Sequence, residues 1–376
     1  MNTLRSRYME LARREAFQEI ADSPTVKYYT NWREFERRLD AADSRNYPSP
    51  PEWLEALEPR KLVITNRVAA EGVESSWIRV YSDYDVISDL KVAGKLEYLH
   101  AARAKPIVEL KIPEGVDAGP ILIVSMAGEA YTGHHLRIIL EPDSSVELLM
   151  ADLGNESEGS LKTLTTVYEV SEGASLRQYV YANHENTAVY VRRIYRLGTG
   201  SRLELNTLYS GGPSTRVNED VFLDGQYSEA RVVSSAVSRE TAWSDVLLNV
   251  RHRGSRSRAF VEGRGVVLNR GLLTLRGIAI VEEEAEWSAS HVEVHVSTFG
   301  EEAKGYASPM LEIHTGNVEE AFHSASVASI GEDELFYLKS RGLNESEARE
   351  LLIEGIVNYS GVIERMRIPY AKVAGR

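Results

Sequence analysis

Between Lys61 and about Val327 the chain repeats one texture: short runs rich in leucine and β-branched residues, broken by Gly, Ser, Asn and Asp. SSVELLM, ASLRQYVY, TAVYVRRIYRL, SRLELNTLY, EARVVSSAV, RAFVEGRGVVL, LLTLRGIAIV and HVEVHV are examples. Leu203 and Leu205, or Val292, Val294 and Val296, alternate with polar residues, as in a strand with one dry face and one wet face. The runs also keep a loose register. Leu176, Leu203, Ala230 and Ala259 follow one another at 27, 27 and 29 residues, and each interval holds a second strand-like run. A repeating unit of that size predicts a β-solenoid, whose coils bury their inner residues against their neighbours. A large β-sandwich spaces its strands evenly too. Periodicity alone leaves the two architectures open.

The flanks read as helical. Met9, Leu11, Ala12, Ala16 and Ile20 form a helical stripe, and NWREFERRLDAA suggests a second helix. Tyr47-Pro48-Ser49-Pro50-Pro51 then acts as a connector, because proline lacks the N–H and clashes with the preceding turn. The predicted organisation is an N-terminal helical region (1–58), a β core (59–328) and a C-terminal helical region (329–376). In the last region Ser329 and Glu332 stand at capping-box spacing, and Asn344 and Glu347 repeat it. One helix should cover Glu332 to Ser340 and stop at Gly342, which takes a left-handed C′ conformation readily. The next should start at Glu345, with Ala348, Leu351, Leu352, Ile356 and Tyr359 on one face. Its acidic first turn suits the positive end of the helix dipole.

Composition excludes several functions. The 376-residue chain has no cysteine, so disulfides, Cys-ligated zinc, thiol nucleophiles and a self-contained Cys-held Fe–S centre are ruled out. A formal charge of −13 argues against non-specific nucleic-acid binding. No run approaches the roughly 20 apolar residues that span a bilayer. The N-terminus lacks the continuous apolar core of a signal peptide. A cytoplasmic protein is the simplest expectation. There is no G-x-x-x-x-G-K-[ST] phosphate loop and no G-x-S-x-G elbow, so neither ATP hydrolysis nor a serine hydrolase is expected of this chain.

The histidines invite metal-site readings, and geometry tempers them. His291 and His295 would pair on a helix, but the alternating valines argue for a strand. There they stand roughly 13 Å apart, too far to share one ion. His134 and His135 are adjacent and would point to opposite faces of a strand. The Glu282-Glu283-Glu284 run reads as a solvated loop, and nothing specific assigns a role to His314. His323 closes a β-type run thirteen residues before the Phe336-Tyr337-Leu338 triplet. A neutral imidazole there is a competent iron ligand. Taken by itself, it reads as an ordinary half-buried histidine.

The order of motifs in the C-terminal third resembles the SufB/SufD family, scaffold subunits of the Suf iron–sulfur cluster assembly machinery. Gly271, Gly277, Val281 and Ala285 resemble the family's glycine-punctuated strand. Pro309, Leu311, Glu312 and Ile313 resemble its P-x-L-E-I strand. His323, Ala325 and Ser326 stand where members usually show His-Gly-Ala-Thr, and GEDELFYLKSRGLNESEARELLIEG is similar almost position by position. The likeness is strongest over about residues 250 to 357. It implies a right-handed parallel β-helix core flanked by helices, and a non-enzymatic scaffold. Implied partners are a SufC-like ATPase and a SufB-like paralogue, or a second copy of the chain.

The resemblance also implies roles for particular residues. His323 would face the paralogue and help bind iron or a nascent Fe–S cluster, held transiently at the subunit interface, with no tightly bound cofactor. Leu335, Phe336, Tyr337, Leu338 and Arg341 would contact the ATPase, whose ATP-driven closure rearranges the scaffold pair. The chain departs from the family in specific ways. Ser324 follows His323 where the SufB branch carries an acidic residue. Ala321 replaces a cysteine found in some SufD members, and the usual glycine after the histidine is missing. The absent thiols point to the SufD branch. Two other classes stay open: a homologue that stabilises the complex without touching metal, and a carbohydrate-active β-helix protein, for which no carboxylate pair at glycosidase separation stands out.

Overall fold

The computed structural model describes residues 3–15, 29–55, 57–58, 60–81, 94–369 and 373. From Ile107 onward the chain winds as a β-solenoid of about eight turns. Strands are numbered in chain order, from β1 (Lys61–Ile64) to β19 (Val318–Ser329). Odd-numbered strands from β5 (Asp117–Met126) onward stack in one sheet and even-numbered strands from β4 (Ile107–Ile112) onward in the other. Every pairing along these two stacks is parallel. Among the described residues antiparallel pairs occur only at the N-terminal end, where β1 pairs with Val68–Glu71 and Ile78–Tyr81 pairs with Ile107–Ile112.

The spacing read from the sequence is the stacking register. Leu203 pairs with Leu176, Ala230 with Leu203, and Ala259 with Ala230. Their side chains therefore point the same way on successive coils, and the inward rows fuse into one apolar core between the sheets. A sandwich is excluded, since each strand's neighbours come from the coils before and after it.

The outer faces are covered as well. Helix α3 (Glu52–Glu55), α6 (Glu345–Val357) and α7 (Val362–Met366) pack over the odd-numbered sheet, burying Leu54, Val357 and Met366 against Leu122, Leu149 and Tyr181. Helix α1 (Thr3–Arg14), α2 (Trp32–Glu36) and α4 (Lys95–Arg103) cover the other sheet, with Phe35, Leu96 and Leu99 on Tyr131, Leu161 and Tyr190. Helix α4 falls within the stretch read as purely β. The second N-terminal helix spans only Trp32–Glu36 before a turn. Ala16 and Ile20 lie outside the described residues.

The C-terminal helices start and stop where their caps place them. Helix α5 runs Glu332–Ser340 and ends before Gly342, whose φ is +100°. Asn344 caps α6 with its side chain accepting from the Glu347 N–H, and the Glu347 carboxylate accepts from the Asn344 N–H at 2.8 Å. Ser329 closes β19, and the Glu332 side chain of the first expected box lies outside the described residues. The packed face of α6 differs from the expected one. Leu352, Ile353, Ile356 and Val357 face the sheet and Ala348 is buried, whereas Leu351 and Tyr359 are exposed.

Candidate interaction surface at the open end of the solenoid

The last coil has no successor. Strands β18 (Lys304–Ile313) and β19 are the terminal members of their sheets, each paired on one side only. Inward rows of the core therefore end there in the open. One row runs Ile121, Leu148, Gln178, Leu205, Val232, Val261 and Val292, all buried, and its last member is His323. A second inward row, two places along, passes through Ala236, Gly265 and Val296 and ends at Val327, which is 52% exposed. The imidazole of His323 is thus exposed at a position that holds an apolar side chain on the two preceding coils.

Histidines are sorted by this geometry. His100, His134, His135, His184 and His252 are buried, while His291, His295 and His323 lie on β17 and β19 and His314 directly follows β18. His291 and His295 occupy the outer side of β17 (Ser288–Phe299), with Val292, Val294 and Val296 buried on its inner side, as their spacing predicts. His291 lies 3.1 Å from Glu320 and between the rings of Phe260 and Phe322. His295 contacts Ser326 at 2.8 Å and Glu293 at 3.6 Å, and His314 lies 3.6 Å from Glu312. His134 and His135 diverge: one contacts Ser125 and the Thr65 carbonyl, the other His100. Among the described residues no three His, Asp or Glu side chains converge into a metal-holding group. Glu282 pairs with Arg251, and Glu283 and Glu284 are exposed on their turn.

The C-terminal helices present a second surface nearby. On α5, Leu335 is buried and Leu338 half-buried, so these two anchor the helix to this chain. Phe336 and Tyr337 point outward, 70% and 59% exposed, in a protein whose other aromatic side chains are mostly covered. Arg341 lies over the Tyr337 ring, 5.4 Å from its centre. Two exposed aromatic rings side by side on a short helix are an uncompensated apolar patch.

Sequence reading missed a third feature, inside the coil. Lys162, Asp152, His184, Arg193 and Glu219 are fully buried. Lys162 donates to Asp152 at 2.5 Å and to the Ser125 carbonyl at 2.7 Å. Arg193 donates to Glu219 at 2.7 Å and to Tyr209 at 3.0 Å. Burial alone would raise the pKa of Asp152, but Lys162, His184 and Arg193 hold it well below the ordinary carboxylate range. The only sequence signal was register: Lys162 is one coil before Val189, and Arg193 two coils before Leu248, both core positions.

Comparison with known proteins agrees with this architecture. Residues 123–356, well over half of the chain, match the family profile described as SUF system FeS cluster assembly, SufBD core domain. The iron–sulfur cluster assembly protein SufD of Bacillus subtilis is 26% identical over 311 residues, covering 80% of this chain and 70% of that protein. A SufBD family protein of Mycobacterium leprae is 27% identical over 200 residues, or 53% of this chain and 23% of that one. One from Synechocystis is 23% identical over 158 residues, which is 42% of this chain and 33% of that protein. A parallel solenoid with helical flanks, matched over its core by that profile, makes this chain a member of the SufBD family of iron–sulfur cluster assembly proteins.

Proposed function

We propose that the chain is a SufD-type scaffold subunit, non-catalytic itself, that joins a SufB-like paralogue through its open end and a SufC-like ATPase through α5 and α6. The observation carrying this reading is the end of the coil. Two edge strands with unpaired N–H and C=O groups, beside exposed Val327, Phe322, Tyr306 and Ile313, form a surface that a second sheet completes by strand addition. An isolated protein normally blunts such an edge, so its retention supports an obligate partner. A second copy of the chain is the alternative occupant when the paralogue is missing.

His323 would lie within that junction. With no thiol in the chain and no metal-holding group of donors among the described residues, the imidazole can supply one ligand, and the remaining ligands would come across the interface. Iron or a nascent cluster is cargo in this reading. Phe336 and Tyr337 would provide the apolar contact for the ATPase, with Arg341 at their edge.

Co-expression with both partners tests the assembly. A stable complex is expected, weakened by truncation after Ser329 and by Phe336→Ala with Tyr337→Ala. Indifference to all three changes would refute the docking role. His323→Ala separates ligand from structure: reconstituted cluster yield should drop while the complex persists. Ala321 and Ser324, which offer no strong iron donor beside His323, favour the second reading, a subunit that only stabilises its partners. Unchanged yield would establish that one.

A further inference from the structure

One turn of the solenoid recurs with the same backbone conformation coil after coil. Gly115, Asp143, Gly173, Gly200, Tyr227, Arg256 and Trp287 all take a left-handed φ, between +56° and +67°. Each N–H donates to a carbonyl of the equivalent turn on the next coil. Glycine suits such a position, and a bulky side chain adopts it at a cost. Three successive coils nevertheless place large side chains there: Tyr227 before β13 (Glu229–Ser238), Arg256 before β15 (Arg258–Leu268) and Trp287 before β17. Tyr227 and Trp287 are 57% and 48% exposed, and Arg256 is exposed between them. An exposed side chain on strained backbone does little for folding. Tyrosine, arginine and tryptophan are also the side chains that most often dominate binding at protein interfaces.

This ridge borders the largest groove of the molecule, about 740 Å³, on the outer side of the odd-numbered sheet. The groove crosses the strands from Asp117 on β5 to Glu320 on β19. Strands about 4.8 Å apart make it about 34 Å long, the reach of about ten extended residues. Most charges along it are matched within the chain. Arg177 meets Glu204 at 2.8 Å, Arg202 meets Glu229 at 3.3 Å, and Arg258 meets Glu319 at 2.7 Å. Arg231 and Arg256 differ: both are exposed, and neither has a carboxylate partner among the described residues. Arg231 lies on the ring of half-buried Phe260, 4.7 Å from its centre. Two arginines are therefore left uncompensated on one face, each close to aromatic side chains.

We infer that the groove and its ridge bind an extended segment of another protein in which carboxylates alternate with apolar side chains. The carboxylates pair with Arg231 and Arg256, whose planar forks suit them. The apolar side chains lie on Tyr227, Trp287 and Phe260, and the segment runs along the solenoid axis across the coils. This surface is separate from the open end, since Tyr227 precedes β13, three coils before the terminal strand β19. A single-stranded nucleic acid would also stack on aromatic side chains, but the formal charge of −13 opposes it.

Random decapeptides displayed on phage and selected on the full chain test the proposal. The counter-selection uses a triple variant, Tyr227→Gly with Arg256→Gly and Trp287→Gly. Its melting temperature should stay the same or rise, since glycine takes the left-handed conformation freely. Peptides retained by the parent and lost by the variant should be rich in Asp and Glu interspersed with apolar residues. A synthetic peptide of the enriched sequence should bind saturably, and Arg231→Gln or Arg256→Gln should each weaken it about ten-fold. Its charge-reversed version, with lysine at every acidic position, should not bind. Enrichment of basic or uncharged peptides would overturn the assignment, as would enrichment independent of the ridge or affinity unchanged in both arginine variants. Two further results would do the same: saturable binding of an oligothymidylate in place of any peptide, or a lower melting temperature in the triple variant, which would give the three side chains a folding role.

Discussion

Arg193 and Glu219 sit on consecutive coils of the same sheet, in register and joined at 2.7 Å, with neither side chain exposed. Burial pushes the Glu219 carboxyl upward and Arg193 pulls it back. Replacing Arg193 by leucine leaves that carboxyl in the core without its cation. A loss of about 3–5 kcal/mol is expected, read as a fall in the urea midpoint. Removing both charges, as Arg193→Leu with Glu219→Leu, should recover most of that loss. Failure of the double variant to recover would mean the pair is needed for its bonds to Tyr209 as well.

Acid should unfold the protein through its interior histidines. Burial lowers the pKa of His100 and His134 to about 3 and of His252 to about 4, from an ordinary value of 6.5. Above pH 6.5 these rings are neutral in both folded and unfolded chains, and their contribution to stability is complete. Below it the unfolded chain binds protons that the fold excludes. Stability then falls by about 1.4 kcal/mol per pH unit for each histidine, until the folded value is reached. His252→Gln should flatten the slope between pH 4.5 and 6 by about that amount. An unchanged slope would show that His252 charges inside the fold.

Val327 offers a direct probe of the open end. Val327→Lys places a charge on the terminal strand where a core row stops, a substitution that blunts strand addition. Pairing with the paralogue, or with a second copy, should weaken at least ten-fold, or about 1.4 kcal/mol. The melting temperature of the isolated chain should not move, since Val327 is already exposed. Light scattering and sedimentation distinguish these outcomes. Unaltered association would place the junction elsewhere.

Asn344→Ala removes one half of the α6 capping box at a cost of about 1 kcal/mol. Helix α6 is packed on the sheet by Val357, with Leu352, Ile353 and Ile356 half-buried. The loss should therefore appear as faster amide exchange within α6, while the solenoid keeps its protection. Exchange spreading into the strands would mean that helix and coil unfold together.

Much of the architecture was legible because stacking in register repeats a spacing. Leu176, Leu203, Ala230 and Ala259 announce each coil, and Asn344 with Glu347 announces a helix start. What the residues could not reveal has a common cause. Helices cover both sheets, so outward strand positions are buried too, and polarity no longer tells inside from outside. Lys162 in LKTLTTVYEV looks like a surface residue and is fully buried, while Leu351 looks like a core residue and is exposed. Helix α4 escaped because its neighbours share the texture of the strands. At the candidate junction, His323 was found by motif order, and only the stacked rows reveal that it ends an apolar file.

In-register stacking makes chain length a quantised property here. Adding or deleting one whole coil, the 27 residues from Leu176 to Leu203 or the 31 from Ser290 to Ala321, gives every remaining strand an equivalent companion. A single-residue indel within a strand does the opposite, turning that coil's dry side outward and breaking the file above and below it. Lineages of this fold should therefore drift in size by full windings or by changes confined to turns.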